Sequence, residues 1–399
     1  MKPIPIFIQI VFILFLLHDC VPIIGANMPM PFYVLMMFIT YVFLLKHKNT
    51  VKKDLIKVVP ILFISFLPLF YGLQEEPVKY LYGLSQTALY PLFALYLVRN
   101  RDYVAIKRIF LVILISMLVT GFTTYAGCQI HPEASRHLAT AYITDSDRDV
   151  YANLNIGGIH FIYSLPLVFP MLFYTMKSRI VNRNLILLIT ISMVMAILAS
   201  QYTIALLMMA VSVLGCFFPH LINSKLTFFY IVLFLIIFFL GGNYYWGKLF
   251  LYLSENIDSE MVAERLLSLS YLMQGKSGFV DGDVEARQML YINSIKGFFE
   301  SPIYGGVRAG GHSYILDHLC KYGLLGFLAM VMLYKSIYKC FFKRYMGTEI
   351  SSNLKLIIIL ALILAVFNPI VNVGLLTLYV TLFTLLSEES YANYSVKAE

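Results

Sequence analysis

Long apolar runs interrupted by short polar ones dominate the chain. A hydrocarbon core about 30 Å thick needs roughly 20 apolar residues at 1.5 Å rise per residue. By that ruler twelve spans are expected, at 4–24, 29–45, 56–73, 80–98, 109–127, 154–175, 185–200, 202–219, 226–245, 321–338, 355–369 and 371–387. Spans seven and eight, and the last pair, are short and tightly joined, the form that a re-entrant segment takes. No internal repeat, low-complexity stretch or separate soluble domain breaks the pattern. The expected fold class is therefore all-α, a polytopic integral membrane protein of about twelve transmembrane helices. A mean hydropathy of +0.78 agrees.

Two polar interruptions exceed the usual connection length, and long loops in compact proteins tend to carry function. They cover about 127–153 and 246–320. The expected organisation is 1–245, with spans one to nine and the smaller loop; 246–320, the large loop between spans nine and ten; and 321–399, with spans ten to twelve and a tail. The first span follows only Met-Lys-Pro. Its apolar run is too long for the core of a signal peptide and no small-x-small cleavage site follows, so it reads as an uncleaved helix.

Charge sets the orientation, because short basic loops stay cytoplasmic. Basic residues cluster in every second loop: Lys46, Lys48, Lys52 and Lys53; Arg99, Arg101, Lys107 and Arg108; Lys177, Arg179 and Arg183; Lys335, Lys339, Lys343 and Arg344. With Lys2, Lys57, Lys225, Lys355 and Lys397, 20 of the 30 basic residues fall on one side, which places both termini in the cytoplasm and the two long loops outside. This bias accounts for the net charge of +8 without a nucleic-acid-binding surface. The five cysteines form no C-x-x-C pair and no metal-ligand spacing. Cys128 and Cys320 both fall outside; between a disulfide joining them and two small buried hydrophobes, the second is the plainer account.

Within the large loop, 261–272 (MVAERLLSLSYL) reads as an amphipathic surface helix, followed by a turn region. Another helix is expected from Glu285 to Phe299, with Met289, Ile292, Ile295 and Phe299 on its apolar side and Arg287, Tyr291 and Ser294 in one stripe. Ser301-Pro302 ends it, and Gly305-Gly306 and Gly310-Gly311 permit sharp turns or close approach by a ligand. Ser313 is placed to cap the next helix, leaving His312 at its mouth and several free backbone N–H groups outward. With Arg287 and Arg308 nearby, such a helix end attracts a phosphate or pyrophosphate group.

The order Arg287, Tyr291, Ser301-Pro302-Ile303-Tyr304-Gly305, Gly311-His312-Ser313, Leu316 and Gly323-Leu324-Leu325-Gly326 resembles the long periplasmic loop of the O-antigen polymerase and O-antigen ligase superfamily. Within it, the chain is most similar to the Wzy-type polymerases of O-antigen and capsule repeat units. The resemblance implies a GT-C-like glycosyltransferase of the bacterial inner membrane. Such an enzyme transfers a growing glycan from undecaprenyl pyrophosphate onto a new lipid-linked unit at the periplasmic face. It implies no cofactor and no metal. Its partners would be lipid-linked glycans and the bilayer, with a chain-length regulator and a flippase in the same pathway. By analogy Arg287 binds the donor pyrophosphate, and His312 hydrogen-bonds the phosphate or takes the acceptor proton. Arg308 is a second phosphate candidate, by position. Tyr291, Gly311 and Ser313 are candidate substrate contacts.

One departure stands out. Many members carry a Ser-Arg pair at an outer turn between two central spans, whereas here the turn reads Ala199-Ser200-Gln201-Tyr202-Thr203, leaving Arg136, Arg148 and Arg308 as substitutes. The acidic pairs Asp145-Ser146-Asp147 and Asp281-Gly282-Asp283 admit a divalent-ion reading, but acidic residues are concentrated in the outer loops and pair by chance. His18-Asp19, near the outer end of the first span, is a candidate contributor to the acceptor site, since ionisable groups at membrane depth are costly without a role. Other functions remain in view: the ligase that moves the glycan to lipid A–core, and, as a non-enzymatic reading, a repeat-unit flippase. A transporter tends to show matching halves and mid-membrane charge, whereas here the polar groups gather in one asymmetric loop.

Overall fold

A computed structural model describes residues 3–47, 77–138, 144–178, 181–223, 243–257, 263–264, 266–267, 270–271, 283–307, 309–311, 313–345, 349–368 and 373–398. Every regular element among them is a helix. The first group is α1 (Ile6–Cys20), α2 (Pro22–Asn27), α3 (Met30–Lys46), α4 (Pro77–Asn100), α5 (Tyr103–Ile130), α6 (Ala134–His137), α7 (Asp145–Asn153) and α8 (Ile159–Ser178). Then follow α9 (Arg183–Ser200), α10 (Thr203–Phe217), α11 (Pro219–Asn223), α12 (Asn243–Glu255), α13 (Asp283–Glu300), α14 (Tyr314–Tyr345), α15 (Glu349–Phe367) and α16 (Val373–Ala398). Among the described residues α5, α8 and α9 are long and apolar enough to cross a membrane, and shorter apolar helices include α1, α3 and α10. This is an all-helical architecture compatible with a membrane protein. The third expected span, 56–73, and residues 226–242 of the ninth lie outside the described residues.

Local chemistry fixes the helix ends. Asp102 caps α5 by accepting from the Ala105 amide. Asn182 opens α9, and Gln201, in left-handed backbone at φ 53°, closes it. α8 runs through Pro166 and Pro170. Pro170 has no N–H to offer the Pro166 carbonyl, and the buried Ser212 hydroxyl of α10 donates to that carbonyl instead, at 3.0 Å.

The first span differs from expectation. The single run 4–24 stops at Cys20, because Pro22 cannot continue the hydrogen-bond ladder and Val21 before it is extended (φ −122°, ψ 105°). His18, Asp19 and Cys20 thereby sit at a helix end, where the chain turns into α2.

Contacts sort the described helix ends onto two faces. At one face the Ile4 amide donates to Asp102 at 2.7 Å, and Arg108 donates to Gln9 at 3.3 Å. The ends of α3 and α4 meet there through Phe43 and Tyr96, and those of α8 and α10 through Phe173 and Phe217. Lys46, Arg99, Arg101, Lys107, Lys177 and Arg183 belong to these ends. The opposite face gathers the ends of α1, α5 and α9 and the starts of α8 and α16. There Asn155 receives the Ile23 amide at 3.3 Å while its carbonyl receives the Thr123 hydroxyl at 2.8 Å. Between the faces lies an apolar core that includes Phe12 stacked on Phe93 at 3.6 Å.

Candidate functional site

The expected helix over 285–299 is α13, 283–300, but its buried stripe is not the apolar one. Ser294 and Gly297 face α14, while Met289, Ile295 and Phe299 are exposed. Tyr291 is half-buried. Arg287 belongs to α13, its side chain outside the described set; Arg308 and His312 lie outside the described residues altogether. Of the surface helix expected over 261–272, residues 263–264, 266–267 and 270–271 are helical, and the buried Ser270 hydroxyl donates to the Gly247 carbonyl at 2.7 Å. That segment is packed against α12.

The glycine loop is organised by Asp317, a buried carboxylate one turn into α14. Asp317 Oδ1 accepts from the Ser294 hydroxyl at 2.7 Å and the Gly311 amide at 3.1 Å, and Oδ2 from the Ser313 amide at 3.2 Å. Ser294 in turn accepts from the Gly310 amide at 2.8 Å. A carboxylate this buried persists because its lone pairs are engaged by several donors. A Cβ on Gly310 would fall 2.0 Å from the Leu290 carbonyl oxygen, so the loop can lie on α13 only with glycine there.

A second crossing fixes the other end of the loop. Gly323 breaks α14 with φ 61°, ψ −174°, and residues 302–306 cross at that break. The Gly306 amide donates to Lys321 at 2.8 Å, and the Leu324 and Leu325 amides donate to Pro302 and Ile303 at 2.8 and 3.3 Å. A Cβ on Gly305, itself at φ +69°, would stand 2.3 Å from the Gly323 nitrogen. These glycines bring backbone to backbone.

Ser313 caps α14 as expected, accepting from the Leu316 amide at 3.3 Å. Its own hydroxyl donates to Ala365 at 3.3 Å, and the Tyr314 amide donates to Asn368 at 3.0 Å, so the loop is fastened to the end of α15. The expected cluster of free amides at this helix mouth is not what forms: those of Gly311, Ser313, Tyr314 and Leu316 all have protein acceptors. The carboxylate of Asp317 also occupies the place where an anion would approach them.

Leu364, the neighbour of Ala365 on α15, helps to wall a cavity of about 370 Å³. His18, Asp19 and Cys20 from the end of α1 and His160 and Ser164 from the start of α8 line it, together with Leu375, Leu376 and Tyr379 of α16. Asp19, 8% exposed, is its hub: Tyr33 donates at 3.1 Å, His18 Nδ1 at 3.0 Å, and Tyr90 donates as well. The His18 ring lies 3.9 Å from that of Tyr33, and Cys20 shares a hydrogen bond of 3.1 Å with Tyr379. His160 is exposed on the cavity wall and within electrostatic reach of Asp19. Sequence reasoning singled out His18-Asp19 but passed over His160, Tyr33, Tyr90 and Tyr379. The rule on ionisable groups in apolar spans points equally to His160.

The turn that lacks the Ser-Arg pair has Arg136 beside it. The Tyr202 hydroxyl donates to the Ser135 carbonyl at 2.9 Å, bringing α6 against Ser200-Gln201, with Arg136 interacting electrostatically with Tyr202. In the first acidic pair, Asp147 partners a helix cap: the Thr144 hydroxyl, which caps α7, accepts from the Asp147 amide at 3.2 Å and donates to its carboxylate at 2.6 Å. Among the described residues no group of three or more His, Cys, Asp or Glu is arranged to hold a metal ion. Asp281 and Gly282 of the second pair lie outside the described residues. Cys128 and Cys320 are buried free thiols. Compared with protein-family models and with curated proteins, the chain matches none.

Proposed function

We propose that the protein polymerises lipid-linked glycan repeat units of O-antigen or capsule at the periplasmic face of a bacterial inner membrane. It moves the growing glycan from undecaprenyl pyrophosphate onto a new lipid-linked unit. One observation carries the reading beyond the resemblance. The polar 301–313 loop is fastened through Ser313 and Tyr314 to the end of α15, whose neighbouring Leu364 walls a cavity lined by His18, Asp19 and His160. A loop that carries Arg308 and His312, fastened to the helix that helps wall a polar cavity, suits a reaction that joins two lipid-borne substrates. Sidedness follows from charge: six basic residues of the described helix ends belong to the opposite face, which the positive-inside rule assigns to the cytoplasm.

In this reading Arg287 and Arg308 hold the donor pyrophosphate. Cleavage of the sugar–phosphate bond puts negative charge on the leaving group while the sugar becomes cation-like, and fixed guanidinium groups stabilise that separation. His312 contacts the phosphate or the acceptor hydroxyl. With the helix-mouth amides of α14 engaged internally, phosphate binding falls on the side chains. Tyr291, Gly311 and Ser313 then act by shaping the loop.

The test is the surface glycan pattern on a gel from a strain lacking the gene, complemented with wild type or Arg287→Ala. Polymerase activity predicts a core carrying one repeat unit in the deletion, long chains with wild type and none with Arg287→Ala at equal protein level. A bare core with long chains on the lipid carrier would make the protein a ligase. An unchanged pattern in the deletion would overturn both.

A further inference from the structure

We infer that the cavity lined by His18, Asp19 and His160 is the acceptor-sugar site, and that His160 takes the proton from the attacking hydroxyl while Asp19 positions the polar lining. This rests on the polymerase reading and assigns it a residue that neither the motif nor the resemblance points to.

The lining chemistry selects the ligand. At about 370 Å³ the cavity lies in the range, roughly 300–1,000 Å³, in which pockets hold small organic ligands. No lysine or arginine is among its described lining residues, so it is not built for a phosphate. Asp19 is engaged by two tyrosine hydroxyls and His18, so it is not an open cation site. What remains is a lining that mixes hydrogen-bonding groups such as His18, His160 and Ser164 with leucines, which suits a neutral ring with hydroxyls at its rim and C–H bonds on its face. A pyranose has that shape.

His160 differs from its neighbours. His18 is held by Asp19 and by the Tyr33 ring, and Cys20 is paired with Tyr379. The His160 ring has no side-chain hydrogen bond to a described residue, yet it is exposed to the cavity. The titratable groups facing it are His18, Asp19 and Cys20 from α1, Tyr163 from its own helix and Tyr379 from α16.

The step balances without a co-reactant. The acceptor hydroxyl oxygen forms a bond to the anomeric carbon of the donor sugar. The bond from that carbon to the pyrophosphate oxygen breaks, its electron pair leaving with the pyrophosphate, and the hydroxyl proton passes to an imidazole nitrogen of His160. Water at the cavity mouth then removes that proton.

The test uses the purified full-length protein in nanodiscs, fed with the single lipid-linked units extracted from the deletion strain, and follows chain length against pH. Wild type should elongate them with a rate that rises with pH as the imidazole gives up its proton. His160→Gln, folded by size exclusion, should be slower by about 100-fold or more and lose that rising limb. A His160→Gln protein within about threefold of wild type, or a slow one that keeps the limb, overturns the inference and leaves the polymerase reading standing. No elongation by wild type overturns that reading itself. If His160→Gln does not fold, Leu376→Phe fills the cavity from α16. It should block elongation, and a wild-type rate there also overturns the inference.

Discussion

The glycine loop and the cavity lined by His18, Asp19 and His160 are both tied to α15 but are built on opposite plans. In the loop, backbone approaches backbone: Gly305 against Gly323 and Gly310 against Leu290, with Asp317 gathering the remaining amides. Around the cavity, side chains from α1, α3, α4 and α8 converge on Asp19 or its surroundings. Residues that announce themselves in a motif can therefore be shaping a surface, while groups free to do chemistry are supplied by ordinary-looking helices. Variants in the loop should lose folded protein and activity together. Variants in the cavity should lose activity first.

The largest effect is expected from Gly305→Ala. The added methyl meets the Gly323 nitrogen at 2.3 Å in left-handed backbone, a cost of about 3 kcal/mol or more. Folded yield in detergent should collapse, and a normal yield with a normal melting midpoint would mean that the crossing is not rigid. Asp317→Ala comes next, leaving the Gly311 and Ser313 amides and the Ser294 hydroxyl without their acceptor, at about 2–3 kcal/mol. A thermal scan should show the midpoint fall, with Asp317→Asn falling less. Asp19→Asn, which keeps one acceptor oxygen for the tyrosine hydroxyls, should lower stability by about 1–2 kcal/mol and cut chain elongation by about tenfold or more; an elongation loss fully matched by lost folded protein would erase the contrast between the two regions. Ser313→Ala removes a helix cap, worth about 1 kcal/mol, measurable as a small shift in the same scan. At the bottom of the scale, a reducing agent should leave gel mobility unchanged, since Cys128 and Cys320 are buried free thiols.

Much of the architecture was legible from hydrophobic run length alone, because the bilayer imposes one ruler on every crossing helix. α5, α9 and α13 appear where the pattern puts them. The break of the first span was legible too, in Pro22, but hydropathy averages over a single proline. The buried stripe of α13 was misread for a different reason. Where lipid is available, an exposed methionine or phenylalanine costs little, so the packed face is chosen by small and polar residues such as Ser294 and Gly297. The capping role of Ser313 followed from its place before an apolar run, whereas the consumption of the helix-mouth amides needed Ala365 and Asn368, some fifty residues away. The cavity depends on five helices meeting, and nothing in the spacing of His18 and His160 along the chain records that they share it.

The most direct test of the polymerase account is the mass of the lipid-linked glycan that accumulates in a strain lacking this gene. The account predicts undecaprenyl pyrophosphate carrying a single repeat unit, with chains restored by the wild-type gene. Accumulation of long chains on the carrier, or the same chain-length distribution with and without the gene, would contradict it.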